Sequence, residues 1–154
     1  MHNKEVITYI DLFSGLGGIR LGFEQALAEK GLSGKCVFTS EIKPAAIKAL
    51  NHNFPGENIA STDITKVKKD EVPNFNVLLG GFPCQAFSYA GKKLGFEDTR
   101  GTLFYEFARC VKETEPLIFV AENVRGLISH DNGRTLKTII NIFESLGYNI
   151  QTKL

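Results

Sequence analysis

The chain has 154 residues, 43% of them hydrophobic and 23% charged, the size of one ordinary domain with enough apolar content for a packed core. No apolar run nears the roughly 18 residues of a membrane span, and no stretch of signal-peptide length follows the N-terminus, so no membrane partner and a cytosolic setting are expected. Eighteen basic and 17 acidic side chains leave a net charge of +1, which argues against a dominant basic face; three cysteines, Cys36, Cys84 and Cys110, are too few and scattered for a disulfide framework or a metal knuckle.

Tyr9-Ile10-Asp11-Leu12-Phe13 reads as a short buried strand running into the turn Ser14-Gly15-Leu16-Gly17-Gly18. Ile19, Phe23, Ala26 and Leu27 then recur at helical spacing until Gly31 and Gly34 break the pattern. Residues 36–40 form a second predicted strand, and Pro44 suits the first turn of a helix carrying Ala45, Ala46, Ala49 and Leu50. A third strand is expected before Asp63, and two more buried ones at 77–79 and 117–120. Between the last two, Leu103, Phe104, Phe107, Cys110 and Val111 make one helical stripe; Leu136, Ile139, Ile140, Phe143 and Leu146 make another before Gly147. Strands without polar alternation, separated by helices, predict an α/β domain with a doubly wound, mostly parallel sheet. The long aperiodic stretch from Gly80 to Thr102 is of the kind that carries function.

Three segments place unusual residues at predicted strand ends, where such folds bind ligands. In the first, Asp11 to Gly18, glycines let the chain turn sharply and a ligand approach closely. Its spacing is not the dinucleotide fingerprint, because Gly17 and Gly18 are adjacent. A tight turn with no ligand is the plain alternative. Glu41 follows the second strand where a carboxylate reaches ribose hydroxyls, and Asp63 is placed to accept from an adenine amino group. In the second, Gly80-Gly81-Phe82-Pro83-Cys84-Gln85-Ala86-Phe87-Ser88, glycines and a proline set a cysteine at the mouth of a strand exit. Cys36 and Cys110 read as small buried apolar residues; the neighbours of Cys84 do not look like core. In the third, Glu122 follows four apolar strand positions in Val120-Ala121-Glu122-Asn123-Val124. A carboxyl buried there carries a raised pKa and acts as an acid, whereas one in solvent is a plain strand end.

Taken in order, these segments resemble the DNA (cytosine-5)-methyltransferase family in its bacterial restriction–modification form. Asp11 to Gly18 resembles the family's glycine turn, Gly81 to Gln85 its nucleophile motif, Glu122-Asn123-Val124 its acid motif, and Gly95 to Phe104 its mobile loop and following helix. The likeness runs from about Tyr9 to Tyr148. It implies an S-adenosylmethionine-dependent methyltransferase (Rossmann-like) fold, with S-adenosylhomocysteine as product and no metal. The implied cofactor contacts are Asp11, Phe13, Gly15, Leu16, Gly17, Gly18, Glu41, Ile42, Asp63, Ile64, Pro83 and Leu103. Cys84 is the implied nucleophile towards carbon 6 of a cytosine flipped out of double-stranded DNA, and Glu122 the implied acid. Phe82, Gln85, Ser88, Arg100 and Asn123 are the implied DNA and substrate contacts.

The family's Gln-x-Arg-x-Arg motif, target-recognition domain and returning helix do not occur before Leu154, where the chain reads as entering a new strand. Residues 1–154 are therefore expected to be the cofactor-binding and catalytic domain of a fragment or split subunit, weakly active alone. A second chain carrying the missing parts is a candidate partner. Two other readings compete: a non-catalytic cofactor-binding or assembly module of the same fold, and a nicotinamide oxidoreductase, which the glycine spacing disfavours.

Overall fold

The structure, a computed structural model, describes residues 6–83 and 102–154. The chain divides into two compact units, residues 1–81 with 114–122 and residues 82–113 with 123–154.

The first unit holds strand β1 (Val6–Leu12), helix α1 (Gly18–Glu29), strand β2 (Ser33–Ser40), helix α2 (Pro44–Asn53), strand β3 (Val77–Gly80) and strand β4 (Ile118–Ala121). All neighbouring strands are parallel, in the order β2-β1-β3-β4. One face of the sheet buries Tyr9, Val77 and Leu79 with Ile19 and Phe23 of α1 against them. Ile10, Leu12 and Leu78 alternate to the other face and are also fully buried. Both faces of β1 and β3 are thus covered, which is why these runs lack the polar alternation of a half-solvated sheet. Opposite Tyr9 and Ile10 the register with β2 slips by one residue.

Three expectations need correction. β4 is not a buried strand: it pairs only with β3 among the described residues, and Leu117, Ile118 and Val120 are exposed. No third strand leads up to Asp63: residues 54–63 join no ladder, and the side chain of Asn51 takes both backbone groups of Ile59, with Nδ2 donating to its carbonyl and Oδ1 accepting from its N–H (both 2.7 Å). Residues 149–154 join no ladder among the described residues.

The second unit holds helix α3 (Leu103–Thr114), two short 3-10 turns and helix α4 (Arg134–Ser145). Thr102 caps α3 by accepting the Tyr105 N–H at 3.0 Å. The apolar stripe of α3 is buried at Phe104, Phe107, Cys110 and Val111, as spacing predicts, with Leu103 only half-buried. Phe143 of α4 meets Phe104 and Phe107 edge-on, at centroid distances of 5.7 and 6.0 Å. Burying a ring of this kind contributes about 1.5–3 kcal/mol.

Candidate active site

Strand register assembles the site. Ser40, Leu12, Gly80 and Ala121 stand abreast across the four strands. The residues that follow them, Glu41, Phe13, Gly81 and Glu122, therefore leave the sheet side by side at its carboxyl edge, neighbours being about 5 Å apart. Ligands of parallel sheets bind beyond this edge.

The turn after β1 is held by several bonds. Ser14 N–H donates to the Ser40 carbonyl (3.2 Å), Gly17 N–H to the Ser14 carbonyl (2.8 Å), and the Ser14 hydroxyl to the Asp11 carbonyl (2.8 Å). Phe13 sits at φ +54°, unusual for a bulky residue and a mark of functional turns. Gly17 has no substitute: its φ is +83°, and a Cβ there would lie 2.4 Å from the Phe54 ring. Leu16 is 65% exposed and Gly18 opens α1 at the surface.

Asp11, at the end of β1, is only 1% exposed, and neither carboxylate oxygen has a hydrogen-bond partner. Burial pushes its pKa up to about 7. An unpaired carboxylate is costly in such a place unless a cation arrives. Glu41 is also buried but fully engaged: Oε2 accepts the Gly15 N–H at 2.8 Å, and Oε1 accepts the N–H groups of Ile42 (2.8 Å) and Lys43 (2.9 Å). It joins the glycine turn to the start of α2. The Glu41 carbonyl accepts the Thr62 N–H (2.9 Å), which brings Asp63 to the same neighbourhood. Asp63 accepts from the hydroxyl (2.7 Å) and N–H (3.0 Å) of Thr65, contacts that hold its carboxyl below the usual range. Ile42 is 58% exposed, an apolar surface beside Glu41, whereas the Ile64 side chain is buried.

Glu122 is exposed, so the burial expected of an acid at this strand end is not met: it follows β4, whose Ile118 and Val120 are exposed as well. Its N–H donates to the Gly80 carbonyl at 2.9 Å, and its Oε2 lies 2.9 Å from where a Cβ on Gly81 would stand. Gly81→Ala is accordingly expected to swing the Glu122 carboxylate away at a cost on the order of 1 kcal/mol, since only a flexible side chain must yield. A variant crystal structure with Glu122 unmoved would contradict this.

In the second unit, Phe82 is 4% exposed, with its ring against Phe104 and Phe107 (5.3 and 5.4 Å). The ring belongs to the core of this unit. Asn123 Nδ2 donates to the Phe82 carbonyl at 2.8 Å, bracing the backbone that leads into the exposed Pro83. Leu103 stands at the first turn of α3. Cys84, Gln85, Ser88 and Arg100 lie outside the described residues.

Sequence reasoning missed four residues behind the glycine turn: Arg20, Asn53, Phe54 and Glu57. Arg20 is 3% exposed and paired with Glu57, and Asn53 Nδ2 donates to the Leu16 carbonyl at 3.1 Å. An arginine amid the apolar spacing of α1 is the one signal that pointed to them. Among the described residues no helix is long and apolar enough to cross a membrane.

The family described as C-5 cytosine-specific DNA methylase matches residues 7–154. The chain is 54% identical to the Type II methyltransferase M.NlaIV of Neisseria lactamica, over 96% of this chain and 36% of that protein. It is 53% identical to the Type II methyltransferase M1.ScrFI of Lactococcus lactis subsp. cremoris, over 99% of this chain and 38% of that protein. The chain thus spans little more than a third of the length of these relatives. Among solved structures, a mutant of Spodoptera frugiperda DNMT2 superposes with a TM-score of 0.66 at 25% identity, covering 91% of this chain and 41% of that one.

Proposed function

This chain belongs to the C-5 cytosine-specific DNA methylase family, and from that premise we propose that it carries the cofactor site and the reacting groups for methyl transfer to carbon 5 of cytosine in DNA. The observation that carries the reading is the strand register, which lines up the glycine turn, Gly81 and Glu122 at one carboxyl edge. The residues fit S-adenosylmethionine: the unpaired, buried Asp11 carboxylate suits a cationic ligand, the Gly15–Gly18 turn a close backbone approach, Glu41 and Asp63 a ribose and an adenine, and exposed Ile42 and Leu16 its apolar surfaces. Phe13, Ile64, Pro83 and Leu103 complete the proposed contacts. When bound, S-adenosylmethionine supplies an electrophilic methyl group and leaves as S-adenosylhomocysteine.

The chain's own groups prepare the base. The Cys84 thiolate forms a bond to carbon 6 of a flipped cytosine, breaking the ring's conjugation, while Glu122 donates a proton to the ring nitrogen. Carbon 5 then has enamine character and can be alkylated. Water takes the carbon 5 proton, the bond from carbon 6 to Cys84 breaks to release the thiolate, and the ring nitrogen returns its proton to Glu122, which restores the aromatic base. Asn123 holds the Phe82 carbonyl and is assigned, with Gln85, Ser88 and Arg100, to the DNA and the base. Exposed Leu117, Ile118 and Val120 support a working form in which further polypeptide, in this chain or a second one, covers β4 and reads the DNA. Such a protein would act in the bacterial cytosol.

The test is covalent trapping. With S-adenosylmethionine and duplex DNA containing 5-fluorocytosine, whose carbon 5 cannot lose a proton, mass spectrometry is expected to find the DNA strand attached to Cys84 and none on Cys84→Ser. The reaction should be weak with this chain alone and strong when the remaining part of the enzyme is supplied. No adduct even then would favour the non-catalytic module.

A further inference from the structure

The glycine turn is gripped from behind by a cluster that the proposed chemistry does not use. Arg20, in the first turn of α1, is buried, and an arginine is costly there unless its whole guanidinium is engaged. Nη1 and Nη2 fork onto the two carboxylate oxygens of Glu57, the first at 2.7 Å, and Nε donates to Glu24 at 3.1 Å. The guanidinium plane lies over the Phe54 ring, 3.7 Å from its centroid. That ring is the group a Cβ at Gly17 would strike, and the adjacent Asn53 holds the Leu16 carbonyl. The far end of α2 is tied to the same turn through Glu41 and Gly15. Helix α2 thus grips the turn at both ends, through Glu41 at its start and through Asn53 and Phe54 at its finish, and Arg20 locks the latter.

We propose that Arg20 is a positioning residue for cofactor binding: by clamping Phe54 and Glu57 it fixes the backbone of Leu16 and Gly17 in the shape that receives the ligand. This rests on the reading that the turn is the cofactor site. Arginine is required because only a planar fork can pair with a carboxylate along its edge and stack on a ring with its face; lysine keeps the charge but does neither. A clamp of this kind acts on backbone shape, not ligand charge, so its loss should weaken S-adenosylmethionine and S-adenosylhomocysteine alike.

The experiment compares wild type with Arg20→Lys and Phe54→Leu, the second leaving the ion pair intact, and with Arg109→Lys, which disturbs a part-buried ion pair of α3 as a control. Two readouts are taken: amide hydrogen exchange at Gly15 and Gly17 in the ligand-free protein, and calorimetric affinities for both ligands. Both clamp variants are expected to exchange faster at these amides and to bind both ligands about tenfold more weakly, while Arg109→Lys changes neither. Unaltered exchange and affinity in a folded Arg20→Lys would overturn the proposal, even if its melting temperature fell. If Arg20→Lys does not fold, Phe54→Leu decides by the same criteria. Should wild type bind neither ligand, the cofactor reading of the turn falls, and the exchange rates alone decide whether the clamp exists.

Discussion

Replacing Glu122 by glutamine is expected to lower the rate of methyl transfer by about 10²–10⁴-fold while leaving affinity for S-adenosylmethionine unchanged. The amide keeps the size and reach of the side chain, so its contact along Gly81 is preserved. It cannot give a proton to the ring nitrogen, and attack by Cys84 at carbon 6 must then build negative charge with no relief. The pH dependence separates this role from mere orientation. A proton-donating Glu122 makes the pH–rate profile of the native protein differ in shape from that of Glu122→Gln. Parallel profiles for the two proteins, measured by methyl incorporation with the complete enzyme, would remove Glu122 from the acid role.

The second large effect concerns Asp11. Its carboxyl titrates near 3.8 in the unfolded chain and near 7 in the folded protein, because burial disfavours the ion. Between these values the folded state binds more proton than the unfolded state, so stability declines as pH rises from about 4 to 7 and levels off above. A shift of this size corresponds to a few kcal/mol, on the order of 1.4 per pH unit. Asp11→Asn does not titrate. In the absence of ligand it should therefore melt higher than wild type at pH 8, by roughly 2–4 °C for each kcal/mol, and the gap should close near pH 4. Cofactor binding should respond in the opposite sense. The sulfonium is permanently cationic and favours the ionised carboxylate, so wild-type affinity is expected to rise roughly tenfold between pH 5.5 and 7, a rise absent from Asp11→Asn. Calorimetry at the two pH values checks this. Equal affinities in wild type would mean that Asp11 does not face the cation.

Much of this arrangement could be read from residue order. β1, its glycine turn and α1 were legible because a buried strand, three glycines and a helical stripe follow one another within 20 residues. What escaped depended on partners distant in sequence. Arg20 broke the apolar period of α1, yet its burial depends on Glu57, 37 positions on, which no periodicity reveals. Glu41 was placed at the ribose from strand-end logic; that three backbone N–H groups hold its carboxylate became visible only in the fold. The third strand expected before Asp63 is absent, and one amide side chain, Asn51, takes both backbone groups of Ile59. β4 has the composition of an interior strand, and composition cannot say whether a neighbour is present.

The position of β4 has a practical consequence: among the described residues it pairs with β3 alone. An apolar strand at the margin of a sheet is a template for adding foreign strands, and natural sheets blunt such margins with charge, proline or a covering element. Leu117, Ile118 and Val120 provide no such guard. Overproduced by itself, the polypeptide should self-associate as its concentration rises, and lysine at position 118 or 120 should restore solubility without touching the glycine turn.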